Sequence, residues 1–172
     1  DMDKIIKVES ENLQIANLLQ KGSRHHQQGN FSDAQALYEE ILAIYPDHFD
    51  ALQLLGVLFA QIKKYSQAVE FLSKALKIKP NHVRSHSNLG IVLKELKRFD
   101  EALASYNQAI KIEPDYVDAH CNLGNILQEL KRYDEALASF NQAIAINADY
   151  PEIHFNRGNI LQKLKRFDEA LA

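Results

Sequence analysis

Cysteine is nearly missing from this chain. Cys121 stands alone in 172 residues, so neither an intrachain disulfide nor a cysteine-based metal cage can form. Tryptophan is absent and methionine occurs once. No apolar run approaches the ~20 residues that cross a bilayer as a helix, and no secretory leader pattern opens the chain. A surplus of one charge is lacking too. Acids and bases are interspersed to a formal net charge of −3, which gives no electrostatic reason to expect a nucleic acid or an anionic membrane as partner. What is present is an ordinary globular composition, 46% hydrophobic and 25% charged, in a chain long enough to bury a core. The lone thiol is compatible with a reducing compartment, and a cytoplasmic location is the expectation. The chain starts at Asp1 rather than at methionine and stops at Ala172 inside a repeated pattern, so it reads as an excerpt of something longer.

Glycine is also scarce, and its placement is the strongest signal in the sequence. Five of the six glycines, Gly22, Gly56, Gly90, Gly124 and Gly158, follow one another at 34-residue steps. Ala34, Ala68, Ala102, Ala136 and Ala170 keep the same step, as do Pro46, Pro80 and Pro114. Self-similarity at a fixed period decides a fold before any propensity argument. The phasing divides the chain into a lead-in over residues 1–14 and repeats over 15–48, 49–82, 83–116 and 117–150, with a partial fifth over 151–172. The lead-in is polar and only weakly helical in its spacing.

Within each repeat, apolar residues recur at helical spacing in two blocks, such as Leu89, Val92, Leu93 and Leu96, then Ala102, Leu103, Tyr106, Ala109 and Ile110. The link between them reads Lys97-Arg98-Phe99-Asp100, with Lys131 to Asp134 and Lys165 to Asp168 in step. Cations suit the end of a first helix, an aromatic turns inward, and Asp100 is placed to cap the second helix, with Ser32 and Ser66 in its place earlier. Proline then ends the second helix, and Asp47, Asn81, Asp115 or Asp149 is placed to cap the next first helix. Where the fourth unit has Ala148 instead of proline, Pro151 suits the first turn of the following helix. A glycine inside a helix is unfavourable by about 1 kcal/mol relative to alanine, so its recurrence demands a packing reason. The expectation is that it lets the second helix approach, opposite the alanine of the same repeat.

This pattern resembles the tetratricopeptide repeat. The family's signature positions are His86, Leu89, Gly90, Leu93, Ala102, Tyr106, Ala109 and Pro114 in the third unit. In the second they are Leu52, Leu55, Gly56, Phe59, Ala68, Leu72, Ala75 and Pro80. The first unit departs, with Lys21 and His25 at usually apolar positions and Ile41 where alanine is usual; the fourth lacks the proline. The resemblance implies an all-α fold, a right-handed α-solenoid of antiparallel helix pairs whose first helices line a concave groove. It also implies a role in binding other proteins. Physics agrees on the stacking, because one helix pair cannot bury its own apolar face.

On the first helices, Asn88, Asn122 and Asn156 hold the same position in successive repeats, and Asn125 and Asn159 follow on the same helical face. An amide offers donor and acceptor together, so it can pair with a peptide backbone whatever its sequence. These five residues are the candidate peptide-binding site, and they resemble the asparagine ladder of O-linked N-acetylglucosamine transferases. The plainer alternative is a solvated polar face copied by repeat duplication. The first two units have Gln20 and Leu54 at the ladder position. Other modules of the family grip a terminal carboxylate with a lysine; Leu19, Gln53, Ser87, Cys121 and Phe155 stand there instead, which disfavours chaperone-tail binding.

Metal and catalytic readings are weaker. His86, His120 and His154 sit one repeat apart on different helices, where packing is the expected role; His25 and His26 are adjacent and face different ways. No nucleophile elbow, phosphate loop or zinc-protease motif occurs, and neither a catalytic residue nor a cofactor is expected. Cys121 reads as a small filler. Phe31, Tyr65, Phe99, Tyr133 and Phe167 look like a base-stacking ladder only in isolation; flanked by apolar neighbours at the turn, they read as core. The leading expectation is therefore a non-enzymatic module binding a protein or peptide in its groove. A second is the substrate-recruiting arm of a glycosyltransferase whose catalytic domain lies past Ala172, because residues 26–57 resemble the opening repeats of bacterial enzymes of that type. A third is self-association through the thinly covered end of the fifth unit.

Overall fold

The computed structural model describes residues 2–164, among which there are nine α-helices and no strand. They are α1 (Met2–Gln27), α2 (Phe31–Ile44), α3 (Phe49–Gln61), α4 (Tyr65–Ile78), α5 (Val83–Glu95), α6 (Phe99–Ile112), α7 (Val117–Glu129), α8 (Tyr133–Ile146) and α9 (Pro151–Lys163). The expected fifth-unit link over 165–168, Ala170 and the edge invoked for self-association lie outside the described residues. The chain divides into two compact units, Asp1–Pro80 and Asn81–Ala172.

In the first unit each helix packs on the next, α1 on α2, α2 on α3 and α3 on α4. Links this short force consecutive helices antiparallel. Tyr38, Ile41, Leu55, Leu58, Phe59 and Leu72 are wholly or almost wholly buried, and the Phe59 and Phe71 rings stack at 5.4 Å. The lead-in is not a separate element. It is the first half of α1, a continuous helix that leaves Met2, Ile5, Ile6, Val8 and Leu13 exposed. In the second unit α5 through α9 also pack consecutively, and α7 touches both α5 and α9. That last contact brings first helices of neighbouring repeats side by side, which is the stacking a solenoid requires.

Three local details differ from the sequence reading. The atoms nearest the in-phase glycine belong to a bulky side chain rather than to the small alanine. A β-carbon on Gly90 would lie 2.6 Å from Cε1 of the buried Tyr106 ring, and Gly22, Gly56 and Gly124 meet Tyr38, Leu72 and Phe140 as closely. The small residue therefore makes room for a large, fully buried side chain of the second helix.

Second, Asp100 does not cap α6. The first helices close in a left-handed turn. Lys63, Lys97 and Lys131 have φ of 61°, 59° and 60°, and the Arg98 N–H reaches back to the Leu93 carbonyl at 2.9 Å. This six-to-one bond is the Schellman closure. It leaves Phe99 as the first helical residue, so Asp100, Asp134, Ser32 and Ser66 stand second in their helices, and Arg98 at the cap position makes no side-chain cap bond. Arg98 instead grips Glu101 through two bonds of 2.7 Å, and Arg132 repeats this on Glu135. Those hydrogen bonds hold both carboxyls below the usual carboxylate range. The aromatics of this turn, Phe31, Tyr65, Phe99 and Tyr133, are half-buried rather than core.

Third, histidines cap two of the first helices, α3 and α5. His48 Nδ1 accepts from the Ala51 N–H and His82 Nδ1 from the Ser85 N–H, each at 3.2 Å, in place of Asp47 and Asn81. Tyr116 and Tyr150 stand before α7 and α9 with no side-chain cap, so Asp115 and Asp149 do not cap either. Pro151 opens α9, as its position predicts.

Candidate ligand-binding face

The five candidate asparagines all lie in the second unit, on α5, α7 and α9. Asn88, Asn122 and Asn156 stand at one level of the three helices, and Asn125 and Asn159 one turn further. Each is half-buried. Two of them are joined: Asn156 Nδ2 donates to Asn125 Oδ1 at 3.1 Å, across the α7–α9 contact. One repeat earlier the same two positions hold Asn122 and Ile91, so the bond has no counterpart there. Among the described residues Asn88 and Asn122 have no side-chain hydrogen bond, and Asn159 is not drawn into the pair.

The pair has a directional consequence. An amide carries two donor hydrogens and an acceptor oxygen with two lone pairs. Once Asn156 has donated and Asn125 has accepted, Asn125 keeps its NH2 and Asn156 keeps its carbonyl. A donor and an acceptor at adjacent helices match the two polar groups of one peptide unit.

The histidines in step serve the chain itself. His120 Nε2 donates to the Pro114 carbonyl and His154 Nε2 to the Ala148 carbonyl, both at 2.8 Å, so each ties a first helix to the link that precedes it. The signal was available in the sequence as a histidine six residues after the link carbonyl. In the first unit His26 donates from Nε2 to Gln61 Oε1 at 2.7 Å and faces the Tyr38 hydroxyl at 3.3 Å, while His25 turns toward Asp33. Among the described residues no three His, Cys, Asp or Glu side chains converge as a metal site would require.

Cys121 is half-buried beside Asn122. Burial, reinforced by the charges of Asp118 and Glu152, pushes its thiol up to about 11. It is protonated at neutral pH, and the protonated thiol is a poor nucleophile.

Among the described residues no helix is long and apolar enough to cross a membrane. A family model described as TPR repeat matches residues 92–131 and 124–165, and one described as Tetratricopeptide repeat matches residues 25–89. Together they cover more than half of the chain. No curated protein sequence matches it significantly. Solved structures do. A crystal structure of MamA protein is 21% identical with a TM-score of 0.85, over 92% of this chain and 86% of that one. MamA from Desulfovibrio magneticus RS-1 is 19% identical with a TM-score of 0.85, over 92% and 89%. The pilF protein of Pseudomonas aeruginosa is 25% identical with a TM-score of 0.83, over 94% and 73%. The resemblance to glycosyltransferase repeats gains no support from these matches. Repeat period, paired helices stacked within each unit and family models agree, and this chain belongs to the tetratricopeptide repeat family of protein-interaction scaffolds.

Proposed function

We propose that this chain is a non-enzymatic binding module that holds an extended peptide segment along α5, α7 and α9, with Asn88, Asn122, Asn125, Asn156 and Asn159 as the contacts. The observation that carries this reading is the Asn156–Asn125 bond, which leaves a donor and an acceptor side by side on half-buried amides. Backbone recognition of this kind tolerates many sequences, which suits a scaffold. Neutral amides also favour a protein segment over a nucleic acid, whose binding rests on phosphate neutralisation.

The test is a random peptide library selected on the wild-type chain and on the Asn88→Ala, Asn122→Ala, Asn156→Ala triple variant. A net hydrogen bond contributes about 0.5–1.5 kcal/mol. The selected peptides should therefore bind the variant at least about tenfold more weakly, while the variant keeps the helical circular-dichroism spectrum and cooperative unfolding of the wild type. Equal affinity for both proteins would remove the ladder, and failure to select any peptide would remove the groove reading itself.

A further inference from the structure

Beside the asparagine pair is a recess of about 430 Å³, lined in part by Asn125, Asn156, Lys94, Lys131, Lys163 and Glu129. Its charge is one-sided. Glu129 is already engaged, with Lys97 at 2.9 Å and Lys94 at 4.0 Å. Hydrogen bonding to Glu129 raises the pKa of Lys97, with Glu95 adding to the shift. Among the described residues Lys131 and Lys163 have no acidic partner within ion-pair distance. Lys163 lies over the Tyr133 ring, its Nζ 5.5 Å from the centroid, which holds the ammonium at the recess edge. Lys131 lines the recess from the left-handed turn that closes α7.

The same register in the first unit gives a comparison. Counting by repeats, Asn125, Tyr133, Asn156 and Lys163 correspond to Ser23, Phe31, Leu54 and Gln61. A recess of about 470 Å³ forms there too, and its lining includes no lysine, arginine or carboxylate. His26 crosses it to Gln61. Of these two recesses, the one in the second unit carries lysines without an acidic partner among the described residues.

We infer that the recess of the second unit is a side-chain subsite for an aspartate or glutamate of a bound peptide, read by Lys131 and Lys163 while Asn125 and Asn156 hold the adjacent peptide unit. This rests on the proposed peptide-binding role and adds the partner's chemistry: an acidic residue at a fixed distance from the amide-paired backbone. The positions that would grip a terminal carboxylate hold Ser87, Cys121 and Phe155 in this unit, which leaves an internal acidic side chain as the occupant proposed.

The experiment titrates the full chain with three capped serine–alanine peptides that differ only at the central residue, Glu, Gln or Lys. The side-chain amide NMR signals of Asn125 and Asn156 are followed. The Glu peptide should bind about three- to tenfold more tightly than the Gln peptide, in keeping with one or two exposed ion pairs. The Lys peptide should bind more weakly than either. Raising salt should shrink the Glu preference, because exposed pairs are screened. A Lys131→Gln, Lys163→Gln variant should treat Glu and Gln peptides alike, and Lys131→Arg, Lys163→Arg should restore the difference. If Glu and Gln peptides shift the amides equally on the wild-type chain, the acidic subsite is wrong and the amide ladder stands. If no peptide perturbs Asn125 or Asn156 at millimolar concentration, both readings fall.

Discussion

At the scale of single residues, two opposing effects meet at Gly90. Alanine favours a helix interior over glycine by about 1 kcal/mol. Its methyl would sit 2.6–2.9 Å from three atoms of the Tyr106 ring, and that ring is buried on every side. Overpacking a tight core is unfavourable by about 1–3 kcal/mol, so the clash should win. Gly158 provides the control, because among the described residues nothing lies within 4 Å of its β-position. Gly90→Ala should lower the thermal midpoint by several degrees and Gly158→Ala should hold or raise it. Calorimetry on both variants checks the claim, and a shift of the same sign and size in both would refute it. The glycine phase was legible in the sequence because one position must stay small in every repeat. Its partner was not. The facing residue varies among Tyr38, Leu72, Tyr106 and Phe140, so no single residue type recurs to mark it.

At the scale of elements, the informative feature is the turn between paired helices. Three repeats place a lysine in the left-handed region, and the first repeat places Gly29 at φ 77° in the same position. A side chain there is unfavourable by roughly 1–2 kcal/mol against the right-handed conformation, and glycine avoids most of that strain. Glycine also gives the unfolded chain more freedom, which offsets part of the gain. Lys63 is exposed and makes no ion pair among the described residues, so its replacement isolates the backbone effect. Lys63→Gly should raise stability by about 0.5 kcal/mol, seen as a higher urea midpoint with an unchanged slope. A lower midpoint would mean that the lysine stem contributes packing not apparent from its exposure. Helix order was legible from the 34-residue period, because the apolar spacing and the link composition repeat together. The caps are not legible in this way. Capping rules treat each helix start alone, whereas here the Schellman closure of one helix fixes where the next begins. The site divides in the same way. A shared helical face put the asparagines together on paper. The Asn125–Asn156 bond and the recess lysines come from different repeats, and their meeting depends on how helices pack, which spacing along one helix does not encode.

At the scale of the whole molecule, the question is which polyanion, if any, the chain would accept. Half-buried aromatics recur at the turns, and two carry a lysine over the ring: Lys97 over Phe99 and Lys163 over Tyr133, both at 5.5 Å. Aromatic and cation in alternation is the pattern single-stranded nucleic acids use. The global charge opposes it. The chain is net −3, and several of its cations are engaged, Arg98 with Glu101, Arg132 with Glu135 and Lys97 with Glu129. A strand of phosphates needs many free cations along its length, because its affinity comes from releasing a counterion at each contact. One acidic side chain needs only the recess. At physiological ionic strength the recess lysines act over about 8 Å, the screening length. That suffices for a carboxylate seated between them and does not reach successive phosphates along a strand flanked by exposed acids such as Asp100, Asp134 and Asp118. A fluorescent single-stranded oligonucleotide should therefore show no anisotropy change at physiological salt, at protein concentrations that bind the glutamate peptide. Oligonucleotide binding that weakened steeply with salt would mean that the turn aromatics and their lysines act together as a surface, and the single-carboxylate subsite would lose its basis.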